Sequence, residues 1–370
     1  MDIMNIKPKV KKAYPVVYMN NSVCVGGFGK ITEYADETGV LQLLFESMNG
    51  ENTIGEIVSI IQKEYDEKFS EEEIIDSINE ISKEGFIEDI NFIGSEILSE
   101  YELSRYHRNI NFFSSYASLF ENKYKYQKKL SDAKVGIIGL GGLGSHIVYD
   151  LAGLGIGTIK AIEFDTVDIS NLNRQILYNF EDLGKSKAEL AKKRIYDFNP
   201  KINFEVVEKK VEKSEDIIEC FEGFDLIILV ADRPKVKLAL WVNEAIVSLN
   251  IPLFCAGLEA QRALQYTIIP GVSGCIECWR STVKEEHPVS YEMLEKRKSL
   301  NLTGDNTAIA PLVSVITGIV CAEIVKYLTG IGELTTVGNL KSIDMDTMTT
   351  KISETWNKSS DCTICSSINR

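Results

Sequence analysis

The sequence predicts an α/β protein, a doubly wound and mostly parallel sheet preceded by a small winged-helix-like domain. Three observations predict it. From Lys134 onward, buried-strand patterns alternate with helical ones, which is how a parallel sheet covered by helices on both faces reads. A glycine turn, Gly139-Leu140-Gly141-Gly142-Leu143-Gly144, follows the first of those strands and opens a helix. Before residue 99 the pattern differs: a hairpin, three amphipathic helices and a short strand.

At 370 residues the chain has length for two to three domains. The pattern divides it into a small domain over 1–98, a helical connector over 99–130 and a large domain over 131–370. In the first, Val16-Val17-Tyr18-Met19 and Ser22-Val23-Cys24-Val25 flank Asn20-Asn21, a hairpin signal, with Gly26-Gly27 after it. Helical spacing follows over about 37–48, 53–65 and 70–84. Ile54, Ile57, Ile60 and Ile61 share one face of the second helix, and Thr53 stands where a cap belongs. Ser70 caps the third, whose first turn, Glu71-Glu72-Glu73, suits the positive end of a helix. Gly85-Phe86-Ile87 begins a closing strand. Such a module packs or oligomerises, binds DNA, or captures a peptide by strand addition. DNA is disfavoured because the segment is not conspicuously basic after residue 12.

The connector ends in a cationic run, Lys123, Lys125, Lys128 and Lys129. Strands are then expected at Val135–Ile138, Ile159–Ile162, 203–207, 225–230 and 252–255. The longest apolar run, Ala308 to Ala322, is closed by Glu323 and Lys326. It falls short of the roughly 20 residues that cross a bilayer, so it reads as a buried helix.

Fifty-four acidic against 40 basic residues give a formal charge of −14, which argues against a general nucleic-acid binder. A small anion in a local basic pocket stays possible. The basic N-terminus, MDIMNIKPKVKKAYP, is followed by no apolar core or cleavage site, so a cytoplasmic protein with no membrane partner is expected.

Gly139, Gly141 and Gly144 satisfy GxGxxG, with Gly142 inside the motif, and Glu163 stands 24 residues after Gly139 at the end of the next strand pattern. Strand, tight turn, helix and acid together are what a nucleotide's phosphates and ribose require. A dehydrogenase would satisfy them too. The residues beyond Glu163 do not read as one: Asp165-Thr166-Val167-Asp168-Ile169-Ser170-Asn171-Leu172-Asn173-Arg174-Gln175, then Gly184-Lys185-Ser186-Lys187. An arginine and a lysine beyond the second strand could reach a triphosphate and neutralise charge as pyrophosphate leaves.

DxxxxSNLxRQ after a GxGGLG loop resembles the ThiF, MoeB and ubiquitin-activating family of ATP-dependent adenylating enzymes over about residues 103–370. No GxxxxGK[ST] loop occurs. The resemblance implies that Glu163 holds the ribose, that Asp165 belongs to the nucleotide site, and that Asn171, Arg174 and Lys187 contact the phosphates. Asp232, in Leu229-Val230-Ala231-Asp232, would bind Mg²⁺. Arg108, in Arg105-Tyr106-His107-Arg108, matches an arginine that the other subunit of a homodimer supplies. ATP is the implied nucleotide, with CTP left open because no motif reports base choice.

A narrower likeness lies in RYHRNINFFSSYA, QKKLSDAKVGIIGLGGLGSHI, SNLNRQILYNFEDLGKSKAE, Trp241-Val242-Asn243 and Ala310-Pro311. These resemble the microcin C group, which attaches a nucleotide to the C-terminus of a short ribosomal peptide and whose N-terminal module is a peptide clamp. That resemblance favours strand addition for residues 1–98. It also implies a second ATP and a succinimide intermediate.

Cys275-Ile276-Glu277-Cys278 and Cys362-Thr363-Ile364-Cys365 are two CxxC pairs separated by 83 residues. Four thiolates suit tetrahedral Zn²⁺ and leave no position open for chemistry, so a structural site is expected. Of the other cysteines, Cys255 and Cys321 read as buried small hydrophobes. None lies in 281–308, where thioester-forming relatives carry theirs. His146, in the first helical turn after the glycine loop, reads as packing. His287 lies in the charged, Ser-containing segment Thr282–Asp305, which in the resembling enzymes crosses the active site. The rivals to peptide adenylation are adenylation of a sulfur-carrier protein ending in Gly-Gly, ATP-driven peptide cyclisation or dehydration, and an inactive peptide-delivery scaffold.

Overall fold

The computed structural model describes residues 2–27, 30–234, 236–300 and 307–368. Two compact units divide the chain, Met1–Lys128 and Lys129–Arg370.

In the first unit, β1 (Pro8–Val10) is followed by β2 (Val16–Met19), β3 (Ser22–Gly27) and β4 (Lys30–Ala35). Helices α1 (Val40–Ser47), α2 (Ile54–Glu64) and α3 (Glu71–Lys83) come next, then β5 (Ile87–Asp89), α4 (Glu100–Arg105) and α5 (His107–Ser114). The expected caps are present. Thr53 and Ser70 each form a reciprocal box with the glutamate three residues on, Glu56 and Glu73, a device that contributes about 1 kcal/mol per helix. Isoleucines spaced by three and four, Ile54, Ile57, Ile61, Ile74, Ile78 and Ile81, build one buried core with Leu44, Phe45 and Phe86.

Two expectations need correction here. The strand after Gly85 does not close the hairpin sheet; β5 pairs antiparallel with β1 in a sheet of its own. The hairpin instead gains a third strand, β4. Gly26 and Gly27 do not follow the hairpin but are the last two residues of β3, in register with Ile31 and Lys30. Buried Lys11 ties the β1 region to the helices. Its ammonium donates to the carbonyls of Gly85 (2.7 Å), Ser114 (2.6 Å) and Ala117 (2.7 Å), and burial pulls its pKa down to about 8. The cationic run is partly neutralised locally, since Lys123 pairs with Glu88 at 2.7 Å and Lys125 with Glu121 at 2.5 Å.

Helix α6 (Tyr124–Asp132) carries the chain into the second unit. There β6 (Lys134–Ile138), α7 (Gly142–Leu154), β7 (Thr158–Ile162), α8 (Lys187–Phe198), β8 (Asn203–Val207), α9 (Ser214–Phe221), β9 (Leu226–Leu229) and α10 (Lys237–Leu249) alternate as the sequence implies. They are followed by β10 (Leu253–Glu259), β11 (Arg262–Ile268), α11 (Ile276–Glu286), α12 (Pro288–Ser299), α13 (Ala310–Thr329), β12 (Asn339–Asp344) and β13 (Thr350–Thr355). The eight strands lie in the order β13-β12-β11-β10-β9-β6-β7-β8. Pairing is parallel from β10 through β8 and antiparallel from β10 through β13. The central parallel strands are strongly apolar because both faces are covered; every residue of β9 is buried. The antiparallel extension escaped the sequence reading. Lys341 and Thr350-Lys351 put polar side chains among its apolar ones, as strands near a solvated edge do.

Helix α13 outruns the expected segment, reaching 20 residues with hydropathy enough to cross a membrane, and 56% of its most apolar window is buried within the protein. Leu312, Val313, Ile316, Val320 and Ile324 are buried in a helix that packs against α7, β10 and β11. Residues 282–300 are largely helical. Arg280, on α11, reaches Glu277 at 3.1 Å and Glu295 on α12. Residues 301–305 of the anticipated crossing segment lie outside the described residues.

Candidate nucleotide site and thiolate centre

The strand order reverses at β6: β7 and β8 lie on one side, β9 and β10 on the other. A crevice at the carboxyl ends of the strands is the consequence, and open α/β sheets bind ligands there. Three chain segments leave those ends together: the glycine loop after Ile138, Glu163 after Ile162, and Val230-Ala231-Asp232 after Leu229.

The glycines are required by close approach. Gly139 has φ +99°, and a Cβ on it would lie 2.9 Å from the Ala231 Cβ. A Cβ on Gly144 would lie 1.9 Å from the Gly139 carbonyl oxygen, so the first turn of α7 touches the loop backbone directly. Gly144→Ala is therefore expected to lower unfolding free energy by about 2–4 kcal/mol and to weaken nucleotide binding. Chemical denaturation and ATP titration of the variant check this.

Glu163 lies where the sequence puts it, but its carboxylate is already engaged. It is buried and accepts three backbone N–H groups, from Leu140, Phe164 and Asp165, each at 2.8 Å. It pins the glycine loop to the end of β7. The exposed carboxylate at this strand end is that of Asp165, whose Oδ2 is 3.5 Å from Lys187 Nζ. Lys187 itself is 4% exposed, at the first turn of α8 behind the Ser186 cap. Its stem is packed and its ammonium group faces the acid.

Between them the chain runs through two short 3₁₀ turns, Ile169–Asn171 and Phe180–Asp182. Asp168 caps the first, held below the usual carboxylate range by the Ser170 hydroxyl and amide. Asn171 Oδ1 accepts the Asp168 N–H at 3.2 Å. The Arg174 side chain runs beside Gly142, where a Cβ would lie 3.1 Å from its Cδ and Nε. Its guanidinium donates to Ser170 O (3.1 Å) and Asn173 Oδ1 (2.8 Å). Burial lowers the Arg174 pKa, and the Asp232 carboxylate opposes that shift. Asp232 is exposed. Arg108 belongs to the first unit and is exposed on α5.

Sequence reasoning passed over two contributors, Tyr178 and Ser145, and read a third, His146, as packing, whereas its ring reaches the Arg174 carbonyl. Tyr178 donates its hydroxyl to Leu140 O at 3.0 Å, with burial raising its pKa above the ordinary tyrosine range. Ser145 and His146 touch residues 174–176 from the first turn of α7. Nothing local marks any of these, since each partner lies 28 or more residues away.

Cys275, Cys278, Cys362 and Cys365 converge, all four buried, with their sulfurs within 4.8 Å of one another. The nearest approaches are 3.5 Å (Cys278 to Cys365), 3.6 Å (Cys275 to Cys362) and 3.9 Å (Cys275 to Cys278). A tetrahedron with metal–sulfur bonds of about 2.3 Å needs sulfurs about 3.8 Å apart, so the set fits a four-thiolate ion. Two N–H groups point at sulfurs, Asn243 Nδ2 to Cys275 (3.5 Å) and the Ser359 amide to Cys278 (3.4 Å), as outer partners of thiolates do. Asn243 is buried and also accepts from the Ile276 amide at 2.9 Å, which gives the Trp241-Val242-Asn243 motif a physical role. Three further thiols, half-buried Cys220 and Cys255 and buried Cys321, are poor nucleophiles. Burial pushes Cys255 up to about 12, Cys220 up to about 11 and Cys321 well above the usual range.

The ThiF family profile matches residues 106–364. Among curated proteins, the chain is 31% identical to the sulfur carrier protein ThiS adenylyltransferase of Escherichia coli over 222 residues, 59% of this chain and 80% of that one. It is 30% identical to the adenylyltransferase and sulfurtransferase UBA4 of Lodderomyces elongisporus over 241 residues, 65% of this chain, and spans only about half (49%) of that relative's length. Among solved structures, E. coli MccB crystallised with AMPCPP and MccA superposes with a TM-score of 0.75 at 24% identity, covering 97% of this chain and 99% of that one. That last likeness carries the fold, two units included in its coverage. With a family match across well over half its length and the family's motif residues gathered at one end of its sheet, this chain belongs to the ThiF family.

Proposed function

We propose that this chain is an ATP-dependent adenylyltransferase acting on the C-terminus of a short ribosomally made peptide, as in microcin C-type antibiotic biosynthesis. The observation that carries the reading is the gathering of Lys187, Asp165, Arg174 and Asp232 around a glycine loop at the switch point. Asp165, not Glu163, offers its carboxylate to the ribose. The loop amides, Asn171, Arg174 and Lys187 hold the phosphates. The terminal group of the peptide attacks the α-phosphorus, a new bond forms there, and the bond to the β-phosphate oxygen breaks with release of pyrophosphate. Arg174 and Lys187 stabilise the charge that develops on the phosphates, and the protein's remaining task is alignment. Asp232 would hold a Mg²⁺, which supplies further neutralisation of phosphate charge. Arg108 would serve a partner's site in a homodimer. The four cysteines would hold a structural Zn²⁺, which suits reduced thiols in the cytoplasm.

Peptide capture is supported by β2, which among the described residues pairs with β3 alone, lies at the edge of its sheet and exposes Val17 and Met19. An extended peptide can add to it through backbone bonds. A second reading, adenylation of a Gly-Gly-ending carrier protein, is favoured by the ThiS adenylyltransferase relative. The experiment incubates the protein with Mg²⁺, ATP or CTP, and either a short peptide encoded beside its gene or a carrier protein. A peptide heavier by one nucleoside monophosphate in mass spectrometry is the expected result and names the base. Pyrophosphate release only with the carrier would transfer the assignment to carrier activation, and silence with both would leave a peptide-delivery scaffold.

A further inference from the structure

The first turn of α7 grips the loop that carries the phosphate-binding arginine. Ser145 Oγ accepts the Ile176 N–H at 3.3 Å while donating to Gly142 O at 2.9 Å. On the next residue, His146 Nε2 lies 3.2 Å from the Arg174 carbonyl oxygen. A carbonyl only accepts, so Nε2 carries the proton. On its other side the Arg174 amide donates to Asn171 O at 3.1 Å. The backbone of Arg174 is therefore fixed at both its N–H and its C=O, and Ile176 is fixed two residues on.

Asp150, one turn further along α7, takes a hydrogen bond from the Cys321 thiol, and His146 acts on it electrostatically. This matters because residues 163–186 contain no helix longer than the two short turns. A guanidinium on such a loop is aligned only as well as its backbone is held.

We propose that His146 is a positioning residue for Arg174: its Nε2–H on the Arg174 carbonyl sets where the guanidinium meets the phosphates. The inference rests on the nucleotide reading of the site. His146→Ala should weaken ATP binding and slow pyrophosphate exchange, together by roughly tenfold, with an unchanged melting temperature. His146→Gln, whose amide N–H can also donate, should recover most of the loss.

A double-mutant cycle with Arg174→Ala separates this role from packing. In the Arg174→Ala background the His146→Ala change should have no further effect on ATP affinity measured by calorimetry. Multiplying losses, or a glutamine variant as impaired as alanine, would overturn the role. So would wild-type affinity in His146→Ala. A wild-type protein that binds no ATP would instead overturn the nucleotide reading itself, and the role of His146 with it.

Discussion

Lys187→Met, which keeps the packed stem and removes the charge, is expected to reduce nucleotide transfer by roughly 10²–10³-fold while peptide affinity and melting temperature stay at wild-type values. The reason is geometric. The Lys187 side chain is buried, and its ammonium group lies 3.5 Å from the Asp165 carboxylate. That carboxylate is more than half exposed, so removing its partner leaves water to solvate it and costs the fold little. On the proposed reading, what is lost is a fixed positive charge where a leaving pyrophosphate would gather negative charge. Asp232→Ala should behave alike, since the side chain is exposed just beyond the end of β9. The measurement is ATP–pyrophosphate exchange and AMP transfer to peptide, beside peptide binding by fluorescence anisotropy. Equal loss of binding and transfer, or a fall in melting temperature, would show these residues to be structural.

Stripping metal from the thiolate centre is expected to act in the opposite sense, on stability and not on chemistry. Residues 357–368 contain no helix or strand, and they reach the core through Cys362 and Cys365. An ion held by these four cysteines would have no open position for a substrate. Cys278→Ser, or a strong chelator, should remove one zinc per chain by elemental analysis. A loss of about 5 kcal/mol would lower the melting temperature by roughly 10–20 °C for a unit of this size. Activity well below the new melting temperature should persist. Activity lost at an unchanged melting temperature would make the metal a participant in the reaction.

Periodicity and punctuation made much of this protein readable. The isoleucines of α2 and α3 with their Thr53 and Ser70 boxes, the apolar runs of β6, β7 and β9, and the glycines after β6 all encode local geometry, and each falls where the pattern places it. The paired CxxC spacing similarly announced a cluster before any coordinate joined Cys275 to Cys362. The antiparallel extension β11–β13 did not announce itself, because strands near a solvated edge mix polar and apolar side chains and need no crossover helix. Nor did the partner of β5, because strand pairing between residues roughly eighty positions apart leaves no local trace.

Within the site the division is sharper. The order of residues alone determined which chemical groups are present: the glycine loop, an arginine and a lysine, carboxylates at strand ends, four thiols. Only the tertiary structure decided what each carboxylate and ring does. Glu163 and Asp165 are two residues apart and chemically alike, yet one is buried under three backbone N–H groups and the other faces solvent beside Lys187. His146 gains its partner only when residues 28 positions away fold back over α7. A side chain's role depends on whether its hydrogen-bonding capacity is already spent, and that is set by neighbours that the chain brings from far along its length.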